Sequence, residues 1–291
     1  MFNFVLALVV SLLVSGSGVV QADPIGEDAV KKIYKSIKST LEHPTPSNPF
    51  YLKAENKHHI ESAEAALYFP QKLNEIADSL ELASNWCEIL PLHMNVKGCT
   101  YSHDGKKITI YLGRKFYQDP DDAYQLTYKF NTVRKENYFA AIVVADRGPL
   151  GTSDYHIEFE VITVYGTTFG RIHLSDHQSW ISTKALNIYL ATKGADKEGI
   201  KVTGHDEQCN PIYSTGKTAV AERNLLRYYF AFTAFFENSS EVDDRKRHEE
   251  QINAWFDQTE KYPQLYEISR EEYQEEKRKE RINQIALQKS V

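Results

Sequence analysis

Residues 96–178 have an almost unbroken β-strand pattern, in which several stretches alternate apolar and polar side chains, and no other feature restricts the fold of this chain as strongly. A period of two residues predicts strands with one buried face and one solvated face. The buried face is rich in aromatic rings. The alternation is clearest over residues 108–112, 124–130 and 155–161. The segment therefore predicts an antiparallel sheet with one aromatic face and one wet face.

A long helix follows this run of strands. Residues 218–237 have helical spacing, and six of the last ten residues are aromatic. So many rings exceed one narrow apolar stripe, which predicts a core helix that is covered on most sides. The same helix carries Glu222, Arg223 and Arg227, and charges on a covered helix need a partner or a polar cavity. We therefore interpret this helix as one wall of a pocket.

The first 22 residues have the pattern of a secretory signal peptide. An apolar run over residues 4–14 is followed by small residues and a cleavage-type ending at Ala22, although no Lys or Arg precedes the run. The run is shorter than the ~20 residues that a membrane span needs; an uncleaved anchor is the alternative. We expect cleavage after Ala22, export to the periplasm or beyond the cell, and no stable membrane insertion.

The remaining chain divides into three parts. Residues 23–56 comprise an amphipathic helix and a proline-rich connector, and residues 57–240 form the compact domain. This domain opens with a strand near residues 63–69 and a helix pair. Residues 241–291 are strongly charged and are interpreted as a solvated helical appendage. The apolar stripe of the first helix comprises Val30, Ile33, Tyr34, Ile37 and Leu41.

Composition and cysteine spacing restrict the class of protein. A net charge of −6 argues against a nucleic-acid partner, which would call for a basic face. Of the three cysteines, Cys87 and Cys99 are predicted to lie close enough to bridge, because the turn after Pro91 folds the next strand back beside the helix pair. That bond would leave Cys209 unpaired; three reduced thiols are the alternative.

The order of elements is a strand, a helix pair, a run of antiparallel strands and a long helix. Three segments carry a resemblance: NWCEILPLHMNVKGC (residues 85–99), GPLGTSDYHIEFE (148–160) and ERNLLRYYFAF (222–232). In order and segments the chain resembles an uncharacterised exported bacterial branch of the START-like superfamily (SRPBCC), which includes polyketide cyclase and dehydrase-like proteins. The resemblance implies an α+β helix-grip fold, in which a curved antiparallel sheet wraps around a long C-terminal helix, here with added N- and C-terminal helices. It also implies a cavity for a hydrophobic ligand. The extra helix and polar stretch over residues 180–216 depart from the minimal pattern.

The two arginines of the long helix are the sharpest binding candidates. Arg223 and Arg227 lie one turn apart and can clamp an anionic head group above an apolar cavity. In the alternative they are structural and pair with sheet carboxylates such as Glu158 or Glu160, or with acidic residues of the helix pair.

Further candidates come from the strands and from the mouth between the helix pair and the sheet. Arg147 can pair with Glu222 or with an acidic ligand, and a tryptophan at the mouth can cover a ligand, although it is more often core. The complete set of predicted ligand-binding residues is Trp86, His93, Tyr128, Arg147, Tyr155, Tyr189, Arg223, Arg227 and Tyr228.

The leading hypothesis is an exported protein that binds a lipid or other hydrophobic small molecule, without a cofactor or metal, since no complete catalytic or cofactor motif is present. One rival is a cyclase or isomerase that uses Glu158 or Glu222 with a tyrosine; another is a structural envelope protein with a filled core. A void of roughly 300 Å³ or more lined by Tyr128, Tyr155, Tyr189 and Tyr228 would favour binding. A cavity carboxylate with a raised pKa beside a tyrosine would favour an enzyme.

Overall fold

Eight strands form one antiparallel sheet in the computed structural model, which describes residues 24–43, 51–192 and 194–291. The predicted signal peptide and the proline-rich part of the connector lie outside these residues. The strands of the sheet are β1 (Tyr51–Lys57), β2 (Ile60–Phe69), β3 (Val96–Tyr101), β4 (Lys107–Leu112), β5 (Tyr124–Lys135), β6 (Tyr138–Arg147), β7 (Ser153–Val164) and β8 (Thr167–His177). Their order is β1-β2-β8-β7-β6-β5-β4-β3.

Helices and a small ribbon complete the described part of the chain. The helices are α1 (Glu27–Glu42), α2 (Leu73–Leu80), α3 (Ala83–Ile89), α4 (Trp180–Leu190), α5 (Gly216–Glu237), α6 (Asp244–Glu260) and α7 (Arg270–Gln288). The ribbon pairs β9 (Val202–His205) with β10 (Pro211–Tyr213). Among the described helices none is long and apolar enough to span a bilayer.

The inner face of the sheet packs on α5, as the alternation predicts. On this face Ile110, Leu126 and Phe159 are buried, and the ring of Phe159 lies 4.8 Å from that of Phe232 on α5. Aromatic and branched side chains on alternate strand positions thus meet the rings of the helix in one core. The predicted fold class, an α+β helix-grip, is confirmed.

The outer face of the sheet is only partly solvated, which corrects the expectation of a wet face. The predicted helix is present as α1, and it buries Val30 and Tyr34 against this face. Beside it Arg171 donates to Glu64 at 2.8 Å and also pairs with Glu160, so one buried guanidinium is shared by neighbouring carboxylates of this face.

The edge strand β1 was not predicted, because the sequence analysis assigns residues 23–56 to a helix and connector. Tyr51 to Lys57 pair in register with β2, from Tyr51 opposite Ala66 to Lys57 opposite Ile60. Their alternation is obscured by four charged or amide side chains among seven residues, as is common on edge strands.

The charged C-terminal segment is docked, whereas its composition predicts a solvated appendage. Within it Trp255 and Tyr273 are buried and stack with ring centroids 4.5 Å apart. Buried Glu280 accepts from Lys97 of β3 at 2.8 Å and from Lys277 at 2.6 Å. Helix α7 is therefore fixed to the β3 edge by a fully desolvated ion cluster.

A disulfide joins α3 to β3. The Cα atoms of Cys87 and Cys99 lie 5.0 Å apart, within the roughly 7 Å limit for a bond, and Cys209 is exposed and free. Closing a loop of about a dozen residues stabilises a chain by on the order of 3 kcal/mol in the chain-entropy model.

Thiol counting checks this bond directly. Denatured, unreduced protein from an oxidising compartment should show one reactive thiol, from Cys209, and three only after reduction. Three free thiols without a reductant would contradict the bond.

Candidate functional site

A cavity of about 230 Å³ lies between the inner face of the sheet and α5. Its apolar lining comes from Ala63, Leu112, Ile157, Leu174 and Ala221. Three of the four predicted tyrosines, Tyr128, Tyr155 and Tyr228, also line it. The volume is below the 300 Å³ set by the sequence analysis, so the space suits a compact molecule better than a long chain.

Two carboxylates stand at the partly exposed end of this sheet–helix cavity. Glu61 of β2 lies directly opposite Asp176 of β8, and both line the cavity. Burial, reinforced by the charge of Asp176, raises the pKa of Glu61 to about 7, and burial raises the pKa of Asp176 to about 6. Gln178 donates a hydrogen bond to Asp176, whereas Glu61 forms no ion pair within the described part of the chain.

His93 lines the same cavity from a buried position. Its ring is 3% exposed and stacks on Tyr228 with centroids 4.4 Å apart. Burial, together with the positive charges of Arg227 and Lys277, holds the pKa of His93 well below its usual value, so the ring is neutral. Its Nδ1 accepts from the backbone N–H of Asn95 at 3.1 Å, which places the proton on Nε2. Nε2 has no partner among the described residues.

The three cavity tyrosines differ in how their hydroxyls are engaged. The hydroxyl of Tyr155 lies 2.6 Å from that of Thr152, and its ring fits against Gly148, where a Cβ would come within 2.2 Å of the ring. Burial raises the pKa of Tyr155 to about 12. No hydrogen bond to another described residue occupies the hydroxyls of Tyr128 and Tyr228. Both are therefore free to bond a ligand.

The arginines of α5 do not line this cavity, which corrects their predicted head-group role. Arg223 donates to the carbonyl of Glu198 at 2.6 Å. Arg227 donates to the carbonyl of Leu265 at 3.2 Å and to the Glu267 carboxylate at 3.1 Å. Both arginines are structural, and their partners are neither the sheet carboxylates nor the helix-pair residues that the alternative proposed.

Three other predicted binding residues also lie elsewhere. Trp86 is fully buried in the core and donates to the carbonyl of Leu80 at 3.0 Å. Arg147 is exposed at the end of β6, and Tyr189 of α4 packs against Gly194. Neither of the last two belongs to the cavity lining.

The acids named for the enzyme alternative are likewise engaged outside the cavity. Glu222 accepts from the N–H groups of Ile200 and Lys201 at 2.8 and 3.0 Å, and from the Ser214 hydroxyl at 2.6 Å. Glu158 lies 3.1 Å from Arg171 on the outer face. Neither carboxylate is available to a ligand in the cavity.

Sequence reasoning missed Glu61 and Asp176, although a signal was present. The inward positions of β2 are Ala63, Ala65 and Leu67, so the same period places Glu61 on the inner face. Inner-face positions recur every two residues along a strand. Continuing that spacing past the last apolar residue of β2 and of β8 reaches Glu61 and Asp176.

Comparison with known proteins assigns this chain to no family. No protein-family model and no curated protein sequence matches the chain. Among solved structures it is similar to XoxI from Bacillus cereus (9% identity, TM-score 0.30, 46% of this chain and 87% of that one). It is also similar to Ara h 8.0201 (7%, 0.31, 46% and 91%) and to CalU16 from Micromonospora echinospora (7%, 0.27, 71% and 94%). These TM-scores carry no argument about function, and the helix-grip assignment follows from the strand order and α5 themselves.

The two cavity carboxylates should make stability depend on pH. A folded pKa of about 7 against an ordinary 4.5 means that folded Glu61 binds more protons than unfolded Glu61 between these values. Its contribution to the free energy of unfolding is therefore complete below about pH 4.5 and is lost as the pH rises through 7. Glu61→Gln should stabilise the protein by about 1–2 kcal/mol near pH 8, after allowance for its partial exposure, and by almost nothing near pH 4.

Urea unfolding at the two pH values measures this difference. The matched control is Glu55→Gln on β1, whose carboxylate pairs with Lys57 at 2.8 Å in solvent. Equal effects of Glu61→Gln at both pH values would contradict the raised pKa.

Proposed function

We propose that this chain binds a compact small molecule with an apolar body and polar ends in the sheet–helix cavity. The observation that carries the proposal is the set of polar groups without a protein partner in a lining of mixed polar and apolar side chains. His93 Nε2 and the hydroxyls of Tyr128 and Tyr228 have no partner among the described residues. Buried polar groups are nearly always bonded, so vacant ones around a void are typical of a ligand site.

A small hydrophobic ligand fits this site better than a long-chain lipid. The volume of about 230 Å³ is small for a lipid tail, and the arginines that would hold an anionic head are engaged elsewhere. Acidic side chains instead stand at the partly exposed end, where they repel a carboxylate or phosphate head group.

We also propose that the protein is exported to an oxidising compartment, the periplasm or the exterior. The leader-like pattern of residues 1–22 supports this, and so does the Cys87–Cys99 bond, because disulfides are rare in reducing compartments.

A second candidate function is acid–base catalysis on the bound molecule. Glu61 has a pKa of about 7, which suits proton transfer near neutral pH, and its charge acts on the nearby hydroxyl of Tyr155. A cavity carboxylate with a raised pKa and a tyrosine in the same lining support this candidate, with Glu61 in place of Glu158 or Glu222. Turnover is thus a property to test on any ligand that binds.

A fragment screen by ligand-observed NMR tests the binding function. Ala221 of α5 lines the cavity, so Ala221→Leu should fill part of it and abolish binding of the fragments that the wild type takes. Ala286→Leu, on an exposed face of α7, is the matched control and should bind like the wild type. Fragments that bind all three proteins equally would show that the cavity is not their site.

A further inference from the structure

The Glu61–Asp176 pair differs from the fully buried carboxylates of the described chain in having few partners: neither acid has an ion pair among the described contacts, and only Asp176 accepts a side-chain hydrogen bond, from Gln178. Glu158 and Glu160 share Arg171, Glu280 has two lysines, and Glu222 accepts three hydrogen bonds. Each of these acids has a cation or several hydrogen bonds from the fold, although Oε1 of Glu222 has no partner among the described residues.

Because the two acids lie close together, the absence of a paired cation leaves their negative charges to repel each other. Glu61 and Asp176 are directly opposite on neighbouring antiparallel strands, where Cβ atoms typically lie about 4.5–5.5 Å apart. Like charges in that position repel each other unless a cation lies between them. Lys217 at the start of α5 lowers the pKa of Glu61 through its positive charge, but it forms no ion pair with either acid among the described contacts.

The other cations around the cavity are already engaged. Near His93, Lys97 and Lys277 both bind Glu280, while Lys115 and Arg227 bind Glu267 at 2.6 and 3.1 Å. None of them is left to neutralise the acids. His177 lowers the pKa of Asp176 but forms no ion pair with either acid among the described contacts. A cationic ligand would supply the positive charge that this end of the cavity lacks.

The end of the cavity near His93 suits a hydrogen-bond acceptor rather than a cation. His93 Nε2 carries a proton, is buried and has no partner in the described part of the chain, so it can donate to an acceptor. The stacked rings of His93 and Tyr228 offer a flat apolar surface beside that donor. A ligand that matches both ends is cationic at one end and carries a hydrogen-bond acceptor on an apolar body at the other.

Building on the proposed function, we propose that the ligand is a small protonated amine, held at its ammonium group by Glu61 and Asp176 and at an oxygen of its apolar body by His93. The two carboxylates can accept charge-assisted hydrogen bonds from the ammonium protons, and such bonds are among the strongest available to a site. The cavity would thus select its ligand by charge as well as by size.

Three probes with one ring and different charge test this ligand class by isothermal titration calorimetry. They are tyramine, which is cationic; tyrosol, its neutral alcohol; and 4-hydroxyphenylacetate, which is anionic. The titrations are run at about pH 8, above the pKa of about 7 of Glu61, so that both acids are ionised. Tyramine should bind at least about tenfold more tightly than tyrosol, and the anion should not bind measurably.

Matched variants locate the selectivity. Glu61→Gln and Asp176→Asn should each weaken tyramine binding about tenfold or more and leave tyrosol binding within about twofold. Glu55→Gln and Asp146→Asn, which change exposed acids elsewhere on the sheet, should leave both affinities unchanged. Circular dichroism of each variant verifies that it is folded.

The outcomes separate this inference from the function on which it depends. If tyrosol binds as tightly as tyramine, or if tyramine binding survives Glu61→Gln and Asp176→Asn, the amine class is wrong while binding in the cavity stands. If none of the three probes binds and the fragment screen finds no ligand that Ala221→Leu excludes, the proposed function fails and the amine class fails with it. If fragments bind in the cavity but tyramine does not, only the amine class is overturned.

Discussion

Glu280→Ala should lower the free energy of unfolding by about 3–5 kcal/mol, the largest effect expected of any single substitution discussed for this chain. Glu280 is 2% exposed and is the shared partner of Lys97 and Lys277, which are 0% and 2% exposed. Its removal leaves two ammonium groups in the interior with only backbone carbonyls as partners. Burial already lowers the pKa of Lys277 to about 8, which indicates how costly its charge is there.

Thermal and urea unfolding measure this loss, and the melting temperature should fall by roughly 10 °C. The control is Glu275→Ala on the same helix, where the pair with Lys279 is exposed and should contribute less than about 0.5 kcal/mol. An effect of Glu280→Ala no larger than that of the control would mean that α7 is not docked against β3.

Arg227→Met should destabilise the protein by about 3 kcal/mol without weakening ligand binding. The guanidinium is 2% exposed and bonds Glu267 and the carbonyl of Leu265, which ties α5 to the segment before α7. Without it Glu267 keeps only Lys115 and Lys197, and the Leu265 carbonyl loses a donor. Because Arg227 does not line the cavity, the affinity of the folded variant should stay within about twofold of the wild type.

The same sample serves for both readouts of Arg227→Met: thermal unfolding and titration with a fragment that the wild type binds. Arg245→Met, at an exposed position of α6, controls for the loss of one positive charge and should change neither value. A fully stable Arg227→Met protein with much weaker binding would restore the head-group role that the sequence alone suggested.

Much of the fold could be predicted because its signals are local. Alternation over β4, β5 and β7 defined the inner face, and the rings of α5 identified the helix that this face surrounds. The docking of α7 could not be predicted, because Lys277 and Glu280 at i and i+3 look like an ordinary surface pair until Lys97 lies against them. A contact between residues as far apart in the sequence as 97 and 280 cannot be predicted from the local pattern of residues.

The candidate site was predicted in part for the same reason. Tyr128, Tyr155 and Tyr228 follow from strand and helix periodicity, and His93 from its place after the helix pair. The arginines were misassigned because Glu267, the carboxylate that binds Arg227, lies forty residues away, in a segment that composition alone describes as solvated. The sequence predicts that a buried charge needs a partner, but it does not identify which residue that partner is.

Native mass spectrometry of protein purified without denaturation or organic solvent tests most directly whether the cavity holds a small molecule. Wild type and Ala286→Leu should carry the added mass of one small organic molecule, which is released on collisional activation, and Ala221→Leu should not carry it. A wild-type protein with only the mass of the bare chain, or an added mass that Ala221→Leu retains, would contradict a ligand in the sheet–helix cavity.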